Sequence, residues 1–83
     1  MLFRSRDLKQ AARWFRLASE QGDAQSQLIL GRMYMDGQGV DRDYKEAEEL
    51  LRLAAAAGRD EAQEALGKLM LLKSAEKIQP EAD

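Results

Sequence analysis

The 83 residues carry 13 lysines and arginines against 15 aspartates and glutamates, a net charge of −2, with no histidine and no cysteine. A chain of this length holds one domain at most and buries only about 60–65% of its unfolded surface, so it must be regular in structure or lean on a neighbour. The near-balanced charge gives no reason to expect nucleic acid or an anionic membrane as ligand, and the missing residue types exclude disulfides, thiolate nucleophiles, histidine acid–base work and metal held by nitrogen or sulfur.

Valine and isoleucine occur only at Val40, Ile29 and Ile78, too few to supply strands. The expected fold is all-α. Met1-Leu2-Phe3 runs into Arg4 and Arg6 with no apolar stretch behind it. No signal peptide or membrane span is therefore expected in this chain, and the cytoplasm is the default compartment unless the chain is a fragment of a longer exported protein.

The first predicted helix covers residues 7–21. Asp7 stands as its N-cap with Gln10 three residues on, the pairing of a capping box. Ala11, Trp14, Phe15 and Ala18 recur at helical spacing, and Gly22 falls where a left-handed residue ends a helix. The second helix, 24–36, has Asp23 as its cap and carries Leu30-Gly31 and then Tyr34. Gly37-Gln38-Gly39 opens a flexible loop. The third helix, 43–57, takes Asp43 and Glu46 as its cap, Ala47, Leu50, Leu51 and Ala54 as its apolar face, and Gly58 as its terminator. The fourth, 60–78, starts at Asp60 and carries Leu66-Gly67 and then Met70. It meets no breaker before Pro80, so it should run on to Ile78.

Helices three and four restate helices one and two. Sliding the chain by 36 residues pairs Asp7 with Asp43, Ala11 with Ala47, Arg16 with Arg52, Ala18 with Ala54, Gly22 with Gly58, Gln27 with Gln63, Leu30 with Leu66 and Gly31 with Gly67. The organisation is one repeat domain: a first copy over 7–42, a second over 43–78, and a short tail over 79–83. Gly31 and Gly67 sit mid-helix, where glycine costs about 1 kcal/mol relative to alanine. Close approach of a neighbouring helix is the expected compensation. Trp14, Phe15, Leu50 and Leu51 are expected to be buried between those backbones.

With these residues in view, the chain resembles the Sel-one-like repeat family, a relative of the tetratricopeptide repeat. The resemblance rests on Asp7, Ala11, Trp14-Phe15, Ala18, Glu20-Gln21-Gly22-Asp23-Ala24, Gln27, Leu30-Gly31, Met33-Tyr34, Gly37, Gly39-Val40 and Asp43, and it extends over about residues 5–78. The tetratricopeptide repeat proper has a period of 34, a shorter loop and a proline where Gly22 and Gly58 stand. The second copy departs from the pattern at Leu50-Leu51, in place of the aromatic pair, and at Lys73-Ser74-Ala75, in place of the Gly-x-Gly loop, as a terminal repeat does. The resemblance implies an α-α superhelix, or solenoid, whose concave side is lined by the Leu-Gly helices. It also implies a protein-binding role without a reaction or cofactor. Members of the family commonly serve bacterial signalling, envelope and host-contact roles.

No motif argues for an enzyme. Gly37-Gln38-Gly39 lacks the third glycine of a dinucleotide loop and follows a helix rather than a strand. Asp36, Asp41 and Asp43 lack calcium-loop spacing, and Ser74-Ala75-Glu76-Lys77 is an isolated Ser-x-x-Lys on a terminal helix. Glu48 with Arg52 and Glu64 with Lys68 suit i,i+4 surface pairs. Arg4, Arg6, Arg13 and Arg16 read as ordinary surface charge, with a basic patch for an acidic partner as the alternative. The face turned away from Leu30 and Gly31 holds Gln25, Leu28, Arg32, Met35 and Asp36, matched in the second copy by Glu61, Glu64, Lys68, Leu71 and Leu72. Its apolar members make it the candidate groove for a peptide or partner protein. The rival expectation is a structural element that pairs with itself, as a homodimer or against flanking repeats, through Leu71, Leu72, Ala75 and Ile78.

Overall fold

Four helices follow one another in the computed structural model, which describes residues 5–78 and, for side chains, 7–76. They are α1 (Ser5–Glu20), α2 (Ala24–Asp36), α3 (Tyr44–Ala56) and α4 (Asp60–Ile78), with no strand among the described residues. Successive helices pack as antiparallel neighbours joined by short connections. The backbones of α2 and α4 also approach one another, whereas α1 and α3 meet only through side chains. The array therefore bends toward the α2/α4 side. This is the all-α solenoid fragment of two helical hairpins that the repeat predicts.

The two short turns are built alike. Gly22 and Gly58 take φ of 92° and 95°, a region open to glycine without a Cβ clash. Asp23 N–H donates to the Ala18 carbonyl and Gly22 N–H to that of Ser19. Arg59 and Gly58 repeat this against Ala54 and Ala55. The orphan carbonyls at both helix ends are thus satisfied in the same six-to-one, five-to-two pattern.

The caps depart in part from expectation. Asp43 caps α3 as predicted, its side chain accepting from Lys45 and Glu46 N–H at 3.1 Å each. Its own N–H goes to the Tyr34 carbonyl instead of to Glu46, so only one arm of the box forms. Asp7 is not a cap: α1 begins two residues earlier, at Ser5, and Asp7 lies in its first turn. Asp23 occupies the N-cap of α2 without a side-chain bond to the backbone, because its carboxylate accepts from the Ser26 hydroxyl. Asp60 is the first residue of α4 and stands at its positive end.

Two apolar clusters form the interior. Ala12, Leu30, Met33 and Leu50 make one, with Leu8, Phe15 and Val40 against it. Leu28, Met35, Ala47, Leu51, Ala54, Ala62, Ala65 and Leu69 make the other. Gln27 is buried between α1 and α2 and donates to the Ser19 carbonyl at 3.3 Å. No described buried side-chain polar atom lacks a partner.

Gly31 lies where close packing requires it. A Cβ there would stand 2.9 Å from the Leu51 side chain and 3.4 Å from the Ala47 carbonyl oxygen. Gly67, its counterpart, is exposed with nothing within 4 Å. Trp14 corrects the expectation of burial, for it is 65% exposed while its counterpart Leu50 is 6% exposed. Phe15 is half-buried. Leu50 gains the cover of α2, which in the described chain has no equivalent over Trp14.

Candidate partner-binding surface

The inner side of the bend is where α2 and α4 converge. Arg32, Asp36, Glu64 and Lys68 rise around a hollow of about 210 Å³, with Met35 and Ala65 in its floor. All four charged side chains are exposed. Two cations and two anions around a small apolar floor make an amphoteric site. It suits a segment that offers both signs of charge beside one apolar side chain.

The ten predicted groove positions separate into three groups. Arg32, Met35, Asp36, Glu64 and Lys68 come together at the hollow. Gln25 and Glu61 are exposed near the starts of α2 and α4, and Leu71 is 73% exposed. Leu28 and Leu72 belong to the interior instead. Leu28 is 2% exposed within the second cluster, out of reach of any partner, and Leu72 is half-buried against it. Met35, 5% exposed, shows the hollow little more than an edge. Ala65 was missed by the sequence reading, since its i,i+1 relation to Glu64 gives no signal of facing the same hollow. Of the predicted self-association stripe, Leu71 and Ala75 are exposed and Leu72 leans into the core. The side chain of Ile78 lies outside the described residues.

Charged side chains elsewhere in the fold tie the helices together. Arg16 of α1 donates to the Tyr34 hydroxyl, lies 5.4 Å from the centroid of that ring and reaches Glu46 of α3 at 3.5 Å. Arg42 stands 4.9 Å over the Tyr44 ring and pairs with Glu76 at 2.7 Å. Neither cluster was legible as a linear motif. Of the basic patch, Arg13 is exposed and Arg16 is committed to Tyr34 and Glu46; the side chains of Arg4 and Arg6 lie outside the described residues. No ion pair joins Glu64 to Lys68 among the described residues. The predicted Glu48–Arg52 pair forms at 2.6 Å, and Lys73 of α4 adds a second contact to Glu48 at 2.8 Å.

The Lys73 hydrogen bond and charge, helped by Arg52, hold the Glu48 carboxyl below the usual glutamate range. The folded chain then binds this proton more weakly than the unfolded chain does. The stabilisation is fully present above the ordinary glutamate pKa and is lost as pH falls through the lowered one. A carboxyl titration followed by NMR should place Glu48 below the ordinary glutamate range, and Lys73→Met should move it back up toward that range. An unmoved titration would show that Lys73 does not hold the proton off.

Among the described residues no three acidic side chains converge on a metal position, and no helix is long and apolar enough to cross a membrane. Two antiparallel helix pairs stacked through the α2/α3 interface define a helical-repeat solenoid module. The Sel1 repeat model matches residues 2–23 and 24–58, and the chain belongs to the Sel1 repeat family. The second matched range, 24–58, joins α2 to α3 across the Gly37 loop. Sel1 repeats are non-catalytic and mediate protein–protein interaction. No curated protein and no solved structure matches the chain.

Proposed function

We propose that this chain is a non-enzymatic scaffold that binds a peptide segment of another protein along the inner α2/α4 face. The observation that carries the reading is the amphoteric hollow of Arg32, Asp36, Glu64 and Lys68 over Met35 and Ala65. It lies on the concave side, where an elongated ligand meets both hairpins at once. The four exposed charges come from both helices and converge on one apolar floor. The segment expected is one with an apolar anchor flanked by charges of both signs.

The test is capture of such segments from a peptide library by the immobilised chain and by the Arg32→Glu, Lys68→Glu double variant. Both substituted side chains are exposed, so helicity by circular dichroism should not change. The variant should lose the peptides that the parent retains. If both retain the same set, the hollow is not the binding site.

A further inference from the structure

The most extensive contact in the molecule, between α2 and α3, is repeated in halves at its two ends. On the α2 side it uses Leu30, Gly31 and Tyr34; on the α3 side it uses Ala47, Leu50, Leu51 and Ala54. Thirty-six residues later, α4 carries Leu66, Gly67 and Met70 in the first set of positions. Thirty-six residues earlier, α1 carries Ala11, Trp14, Phe15 and Ala18 in the second set.

Each half stands open. Leu30 is fully buried but Leu66 only partly, and Met70 is 66% exposed. Gly31 is filled against by Leu51, whereas Gly67 faces open space. The seat of Leu50 is built from Ala12, Leu30 and Met33. Their counterparts are Glu48, Leu66 and Leu69, and all three line a hollow of about 340 Å³ between α3 and α4. The residue that corresponds to Leu50 is Trp14, exposed at the opposite end. Leu71 fits the same scheme, since its counterpart Met35 is covered by the helix two places further along the array.

From this correspondence we infer that a second copy of the chain docks head to tail, the α1 face of one on the α4 face of the other. Trp14 fills the hollow beside Leu66, and Phe15 lies over Gly67 as Leu51 lies over Gly31. The occupant is another copy because this chain carries both halves of an interface that it already makes within itself. The contact joins unlike faces, so a docked pair still offers one of each, one at either end. Growth is therefore stepwise and open-ended, unlike a closed two-fold dimer. This inference does not depend on the α2/α4 hollow.

Sedimentation equilibrium over a wide dilution series tests it. The weight-average mass of the parent chain should climb from 9.4 kDa past twice that value without a plateau at the dimer. Gly67→Arg blocks the α4 face and Trp14→Glu spoils the α1 face, so each variant alone should stay monomeric. Their equimolar mixture should reach twice the monomer mass and stop, because one sound face of each kind remains. Both positions are exposed, and circular dichroism checks that the variants are folded. Should Gly67→Arg disturb α4, Gly67→Ala favours the helix and places a Cβ where Phe15 must lie, so association should still weaken. A parent chain that is monomeric at millimolar concentration overturns the inference. So does a closed dimer indifferent to Gly67→Arg, or a mixture of the two variants that remains monomeric.

Discussion

Gly31→Leu is expected to lower stability by about 1–3 kcal/mol through overpacking, which for a domain of this size lowers the melting temperature by roughly 5–20 °C. A Cβ at this site meets the Leu51 side chain at 2.9 Å, and Leu51 is itself fully buried and has nowhere to retreat. The Ala47 carbonyl at 3.4 Å closes the other side. Leucine brings back nearly 1 kcal/mol of helix propensity, so the loss measured is the overlap less that gain. Gly67→Ala at the equivalent position should have the opposite sign, raising stability by up to about 1 kcal/mol, because open space surrounds it. Thermal melts of the two variants, at concentrations low enough to keep the chain monomeric, give the comparison. Equal melting temperatures for parent and Gly31→Leu would defeat the close-packing account.

Leu28→Ala is the second large effect, expected to cost about 2–5 kcal/mol. Leu28 packs among Ala47, Leu51 and Ala54 of α3 and Ala62, Ala65 and Leu69 of α4. A domain of this size has about 4–12 kcal/mol to lose, so the urea midpoint should fall steeply and the chain should be partly unfolded at body temperature. A surface leucine would change stability by no more than about 0.5 kcal/mol. If the midpoint holds and only peptide capture is lost, Leu28 faces the partner after all.

What the sequence made legible was what local chemistry determines. Gly22 and Gly58 announce their turns because few other residues adopt that backbone, and Asp43 announces its helix because its carboxylate reaches two amides. The bounds of α2 and α4 follow directly. Burial was less legible because it depends on which helices surround a position. Trp14 reads as core from its spacing, yet the spacing is the same whether or not another helix lies over it. Leu28 reads as groove because a wheel turned away from Gly31 places it outward. In the fold, α2 is enclosed by α1, α3 and α4, and no single apolar stripe describes a helix with three neighbours. The charged half of the candidate site was readable, since Arg32, Asp36, Glu64 and Lys68 share one face in a repeated register. The Arg16–Tyr34–Glu46 contact joins three helices and has no linear signature.

The division of the interior into two clusters grades how readily different parts of the chain let go. α2 and α3 contribute to both clusters, whereas α1 contributes only to the one around Leu30 and α4 only to the one around Leu69. Detaching α1 or α4 breaks one set of contacts and leaves the other standing. Detaching α2 or α3 breaks both. In an array whose units touch only near neighbours, such detachments are separate partial openings of unequal free energy. The outer helices are thus the first to peel, and they are also the helices that carry the unfilled end faces. Anything that covered those faces would stabilise the parts that are otherwise lost first, and the melting transition would sharpen as well as rise.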